Sequence, residues 1–120
     1  MVLSGIRFAQ RQVPKILAGE KTFTRIKLPS PWEPGSTITA FQMVDDVERP
    51  FAVLKVVSVK EQLLGSISEE EARKEGYEGR ADFFAAWESI HGYLNESETV
   101  WAIEFTLVRP IAEEEIISLI

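Results

Sequence analysis

Between Phe51 and Lys60 the chain reads Phe-Ala-Val-Leu-Lys-Val-Val-Ser-Val-Lys, a β-prone run with apolar residues at both parities. Side chains alternate between the two faces of a strand, so such a run has no face suited to water. It must be covered on both sides, which places it centrally in a sheet. Everything else has to be arranged around this longest strand.

The flanking segments supply the cover. Leu3 to Ala9 reads as a short opening strand. Gln12 to Ala18 carries Val13, Ile16 and Leu17 at helical spacing, with Pro14 near the start and Gly19 as the stop. Thr22 to Ile26 is β-prone, and Pro29, Pro31, Pro34 and Gly35 force a loop around Trp32 before Thr37 to Val44 resumes as a strand. The polar stretch Asp45–Arg49 reads as a turn. Ser68 followed by Glu71 is a capping box for a helix through Glu75, closed by Gly76. Phe83, Phe84, Trp87, Ile90 and Leu94 predict an amphipathic helix from Asp82 to near Gly92, and Thr99 to Val108 a closing strand broken by Pro110. The order β-α-β-β-β-α-α-β, with helices to one side, means α+β. Periodicity leaves open sheet and closed barrel undecided. The expected core is Val53, Val57, Phe83, Phe84, Trp87, Trp101, Ile103 and Phe105.

A chain of 120 residues, 45% apolar, is one domain with a real core. We expect that domain over residues 1–110, and a tail over 111–120 that docks Ile116, Ile117 and Leu119 as a short helix. No run approaches the roughly 20 apolar residues of a membrane span, and residues 1–12 reach Arg7 and Arg11 without the apolar stretch of a secretory signal. Cysteine is absent, which excludes disulfides and thiolate metal sites and fits a cytoplasmic protein.

The net charge of −6 is unevenly spread. Residues 1–30 hold six cations (Arg7, Arg11, Lys15, Lys21, Arg25, Lys27) against Glu20 alone, so the remaining residues carry −11. An acidic body is ill suited to many phosphate contacts, whereas a local positive pocket suits a small anion, a nucleotide or a short RNA segment. The cations concentrate in Lys21-Thr22-Phe23-Thr24-Arg25-Ile26-Lys27, directly after Gly19. A buried structural strand has little use for three cations in seven residues. A site that holds an anion, a nucleobase edge or a developing oxyanion does.

That segment resembles the signature of the ASCH domain, a PUA-like family whose motif begins Gly-x-Lys, with Gly19, Lys21 and Thr24 at matching positions. The resemblance continues through Pro34-Gly35, Glu75–Tyr77, Phe83–Phe84 with Trp87, and Val100–Phe105. It implies a PUA-like β-barrel of about five to six mostly antiparallel strands with two to three helices packed on one side. It also implies RNA or a nucleotide-like ligand as partner, bound through Lys21, Thr22, Arg25, Lys27 and Trp32, with no cofactor and no metal. Some small bacterial members are amidohydrolases that deacetylate N4-acetylcytidine with a Lys, Thr and Glu. Carried over, these are Lys21, Thr24 and Glu75, with Glu71 or Glu78 competing for the last place. The Arg of the pattern falls where this chain has Ile26, flanked by Arg25 and Lys27.

The chemistry is coherent on its own terms. Thr24 can attack an amide if a neutral Lys21 takes its proton, but lowering a lysine from about 10.4 to near 7 costs roughly 4–5 kcal/mol. Arg25 and Lys27 push that way, and a nearby Glu75 pushes back. A regular strand would put Lys21 and Thr24 on opposite faces, so a shared site needs Lys21 in the loop after Gly19. Trp32 can either stack on a base or plug the barrel end. His91, the single histidine, reads as a favourable partner for a helix C-terminus. The Glu69–Glu71 and Glu113–Glu115 runs read as solvated faces.

Overall fold

The structure is a computed structural model and describes residues 5–112; the expected helix in the tail lies outside them. In chain order the elements are β1 (Gly5–Arg7), a 3-10 turn at Gln10–Gln12, α1 (Val13–Leu17), β2 (Phe23–Ile26), β3 (Thr37–Val44), β4 (Val47–Leu63), a 3-10 turn at Leu64–Ser66, α2 (Glu69–Lys74), α3 (Arg80–His91) and β5 (Thr99–Pro110). The order matches the one expected. The turns end where the sequence says they should: Gly19, Gly76 and Gly92 close α1, α2 and α3 with positive φ.

One sheet holds all five strands in the order β1-β3-β4-β5-β2. β1 runs parallel to β3, and the other pairings are antiparallel. β4 is indeed central, but it is longer than its apolar run. Its first half pairs with β3 up to Lys55, and from Ala52 onward it pairs with β5. A strand of 17 residues shared in this way, with register shifts at Val53/Leu54 and Val56/Ser58, bends the sheet into a curled half-barrel. The edge strands β1 and β2 are not paired with each other, which leaves a seam between them.

Two expectations need correction. The turn after β3 is only Asp45–Asp46, both with positive φ (50° and 62°), a tight hairpin that lets the strand resume at Val47. Pro50 sits inside β4 because at that point the strand pairs on one side only, where a missing N–H is harmless. The core parity of β4 also differs: Ala52, Leu54 and Val56 are buried, whereas Val53 is half-buried and Val57 is 45% exposed. Val57 follows the same alternation: with Val53 and Lys55 it lies on the face opposite Ala52, Leu54 and Val56.

The core has two parts. Phe8, Ile16, Ile38, Leu54, Val56 and Phe105 fill the half-barrel. A second cluster, with Leu64, Ile67, Ala72, Phe83, Trp87 and Val100, joins α2 and α3 to the far ends of β4 and β5. Phe84 packs on this cluster only partly buried, and Trp101 is half-buried.

Candidate functional site

The segment after α1 is turned inward by its hydrogen bonds. With φ at +76°, Gly19 reverses the chain, and the amides of Glu20 and Lys21 both donate to the Lys15 carbonyl (2.9 and 3.1 Å). Thr22 is then pinned from both sides: its amide donates to the Lys74 carbonyl (2.8 Å), and its own carbonyl accepts from the Phe105 amide (2.9 Å). Lys21 is therefore in the loop, not in β2, and it shares one cleft with Thr24.

That loop carries Lys21 into the interior, where it is only 4% exposed. Its Nζ donates to the Glu75 carbonyl (2.6 Å) and the Phe23 carbonyl (2.9 Å), and lies 3.7 Å from Glu75 Oε1. Glu75 is the C-cap of α2 and equally buried, at 3%. Its other oxygen, Oε2, accepts from Arg25 Nη1 at 2.6 Å. Arg25 Nη2 donates to Gln62 Oε1 (3.0 Å) and Glu71 Oε2 (3.1 Å). Glu71 meanwhile serves the capping box with Ser68. Two buried cations thus face two carboxylates, and the network is close to neutral.

Electrostatics follow from burial. Desolvation lowers the pKa of Lys21 to about 8, against the opposing pull of Glu75. Burial tends to raise Glu71, but the hydrogen bond from the Ser68 amide and the Arg25 guanidinium outweigh it and hold its carboxyl below the ordinary range. His91 is lowered by burial and by Lys27. Burial raises Tyr77, partly offset by a hydrogen bond from Arg11.

The cleft has a volume of about 220 Å³ and occupies the seam of the half-barrel. β1 and the turn after it contribute Ile6 and Phe8, β2 contributes Thr24 to Ile26, and Trp87 and His91 of α3 close it from above. Lys21, Arg25 and Glu75 form one wall. Among the described residues the Thr24 hydroxyl makes no protein hydrogen bond, so it is available to a ligand.

The other residues marked in the sequence lie elsewhere. Lys27 sits over the Tyr93 ring (4.4 Å), donates to the Tyr93 hydroxyl and lies 3.6 Å from Glu98, facing a shallow apolar groove with Leu28 and Pro31. The Trp32 side chain packs against the half-barrel core, as a plug would. Thr22 is half-buried and contributes its backbone. Of the competitors to Glu75, Glu78 is exposed. Lys21, Thr24, Arg25 and Glu75 are brought together; Thr22, Lys27 and Trp32 do not line that cleft. His91 does occupy the last turn of α3, as the dipole reading wants, but its ring also lies against Trp87 at a tilt (centroids 4.2 Å apart) at the cleft.

Sequence reasoning missed Gln12, and it saw in Trp87 only a core residue. Both line the cleft. The one available signal for Gln12 was an amide beside the apolar stripe of Val13 and Ile16; it is 5% exposed.

Solved structures with the same architecture are known. An ASCH protein from Zymomonas mobilis superposes with a TM-score of 0.63 at 13% identity, covering 97% of this chain and 77% of that one. An ASCH domain from Lactobacillus crispatus gives 0.54 at 20% identity, over 80% and 69% of the two chains. The fold is that of an ASCH domain. A protein of family DUF984 from Enterococcus faecalis shares it too, with a TM-score of 0.65 at 19% identity over 94% of this chain and 85% of that one. No family sequence model matches this ASCH-fold chain, and neither does any curated protein. At these identities the likeness concerns the fold. Among the described residues no helix is long and apolar enough to cross a membrane.

Proposed function

We propose that the cleft binds a nucleoside-sized ligand and hydrolyses an acyl amide on it, with N4-acetylcytidine as the representative substrate. The observation that carries this reading is Lys21: a buried lysine with its pKa brought down to about 8, in contact with Glu75 and sharing a small cleft with an unengaged threonine hydroxyl. Perturbed ionisable groups of this kind gather where proton transfer is needed.

The steps follow from the residues. Thr24 Oγ attacks the acyl carbonyl carbon while neutral Lys21 Nζ takes the hydroxyl proton. Lys21, now an ammonium, returns that proton to the amine nitrogen as the C–N bond breaks, leaving the acyl group as an ester on Thr24. Water then attacks the ester with Lys21 again as base, releasing the carboxylic acid and restoring Thr24. Glu75 steers Lys21: its backbone carbonyl and the Phe23 carbonyl fix two of the Nζ donors, and its carboxylate stabilises the ammonium form between the two proton transfers. At pH 7 a pKa of about 8 leaves roughly a tenth of the lysine neutral, enough for a base that must also act as an acid.

Binding of RNA through its backbone is less well supported. Phosphate affinity draws on cations free to replace counterions, yet Arg25 is bonded to two carboxylates and Lys27 is held against Tyr93 and Glu98. Incubating the protein with N4-acetylcytidine and following cytidine by chromatography tests the proposal. We expect turnover that Thr24→Ala and Lys21→Met abolish while the thermal unfolding profile stays cooperative. Absence of cytidine at high enzyme concentration removes this substrate.

A further inference from the structure

Among the described residues, three buried side-chain polar atoms have no hydrogen-bond partner: Gln12 Oε1, Arg25 Nε and Trp87 Nε1. All three side chains line the same cleft. Buried polar atoms are nearly always paired in native proteins, so isolated exceptions call for an explanation and a cluster of them at one cavity calls for a common one. Each belongs to a side chain that is 5–6% exposed and otherwise well fixed. Arg25 is held by its two terminal nitrogens, Trp87 by tilted ring contacts with His91 and Phe83, and Gln12 by the start of α1. Gly76 leaves room for the Gln12 amide, since a Cβ there would lie 2.6 Å from Oε1.

We infer that Gln12, Arg25 and Trp87 are the recognition edge for the base of the ligand, and that they select a pyrimidine over a purine. This deepens the reading above and rests on the cleft being a nucleoside site. The three atoms offer two N–H donors and one acceptor, so the ligand must present two acceptors and one donor. Cytosine does so, free or N4-acylated, with O2 and N3 as acceptors and its exocyclic N–H as donor. Uracil does so with two carbonyls and one ring N–H. Guanine reverses the ratio on its pairing edge, and adenine offers one of each. A site whose buried polar groups are matched by the right ligand rejects the wrong one by leaving those groups unpaired.

The test is a titration of the full chain with cytidine, uridine, adenosine and guanosine, followed through the indole N–H resonance of Trp87, which Trp87→Phe assigns. We expect the pyrimidine nucleosides to bind at least about tenfold tighter than the purines. The Trp87 indole proton should move downfield on saturation with cytidine, as a newly hydrogen-bonded N–H does. Trp87→Phe and Gln12→Met should each weaken cytidine binding about tenfold, the effect of losing one hydrogen bond to a buried partner. Gln12→Met keeps the test open if Trp87→Phe folds poorly. Cytidine binding without turnover of N4-acetylcytidine removes the hydrolase reading and leaves this inference standing. Turnover with an unmoved Trp87 indole, or purines bound as tightly as pyrimidines, overturns the inference and leaves hydrolysis standing. Failure to bind any nucleoside overturns both.

Discussion

The half-barrel interior and the seam beside it are equally buried and oppositely built. Leu54, Val56 and Phe105 are at most 2% exposed and pack in an apolar cluster, so their burial is favourable on its own. Lys21, Arg25 and Glu75 are 3–6% exposed and carry charge, so each was taken from water at a cost that only its partners offset. Replacing such a cluster with packed hydrocarbon is often neutral or stabilising. The fold therefore does not need the seam to be charged. What the seam supplies is a lysine that burial brings down to about 8 while Glu75 keeps it from falling further.

The two regions should break differently. Glu75→Leu removes the anion that Lys21 and Arg25 share, leaving Arg25 with Glu71 alone and Lys21 with carbonyl partners only, and we expect a loss of about 3–5 kcal/mol in urea unfolding. Converting Arg25 to Met in the same protein should recover much of that loss. A pair of substitutions that merely added their costs would show that the seam behaves as ordinary packing. Leu54→Ala leaves a cavity among Val56, Phe105 and their neighbours, at a cost of about 2–4 kcal/mol that no charge substitution can repair.

The two regions also differed in how far they could be read from sequence. The half-barrel was readable where periodicity is local: Thr37–Val44 forms β3 as expected, and the Ser68/Glu71 box starts α2. It was not readable at Val53 and Val57, because the run is apolar at both parities and its alternation does not say which face is buried. In the seam, Gly19 followed by Lys21 signalled a turned-in lysine. The partners came from far along the chain: Arg25 meets Gln62 and Glu75 at separations of 37 and 50 residues, and no spacing rule pairs residues so distant. Gln12 and Trp87 were hidden for a different reason. Each sits on an apolar stripe whose first purpose is packing, and their unpaired atoms emerge only once the cleft is closed around them.

Lys21 sharpens the comparison through pH. Its folded pKa, about 8, lies below the 10.5 of the unfolded chain, so above pH 8 the unfolded state holds the extra proton and folding gains stability as pH rises. Below pH 8 both states are protonated and the contribution is a constant penalty. Over the window from 8 to 10.5, at about 1.4 kcal/mol per pH unit, the gain approaches about 3 kcal/mol. Denaturant titrations of wild type and Lys21→Met at matched pH should diverge in favour of wild type across that window. If hydrolysis is the function, the pH–rate profile should rise with a midpoint near 8. A stability difference that stays flat across the window would mean that Lys21 keeps an ordinary lysine pKa and is no base.

The smallest expected effect on stability links the regions. Ser68 Oγ accepts from the Glu71 amide while the Ser68 amide donates to Glu71 Oε1 (3.0 Å each). This box fixes a helix of only 6 residues, and Glu75 caps its other end. Ser68→Ala should cost about 1 kcal/mol of stability, the usual price of a lost N-cap. Its effect on catalysis should be larger in proportion. Glu71 loses one of the contacts that aim it at Arg25, and any rotation of so short a helix is passed directly to the Glu75 carbonyl and carboxylate that hold Lys21. A displaced Glu75 withdraws the carboxylate that raises the Lys21 pKa, so the rate midpoint should move to lower pH. Ser68→Asp restores the cap acceptor and should return both stability and midpoint. Should Ser68→Ala lower stability and leave the midpoint near 8, the seam would be positioned by its own ion pairs, independently of α2.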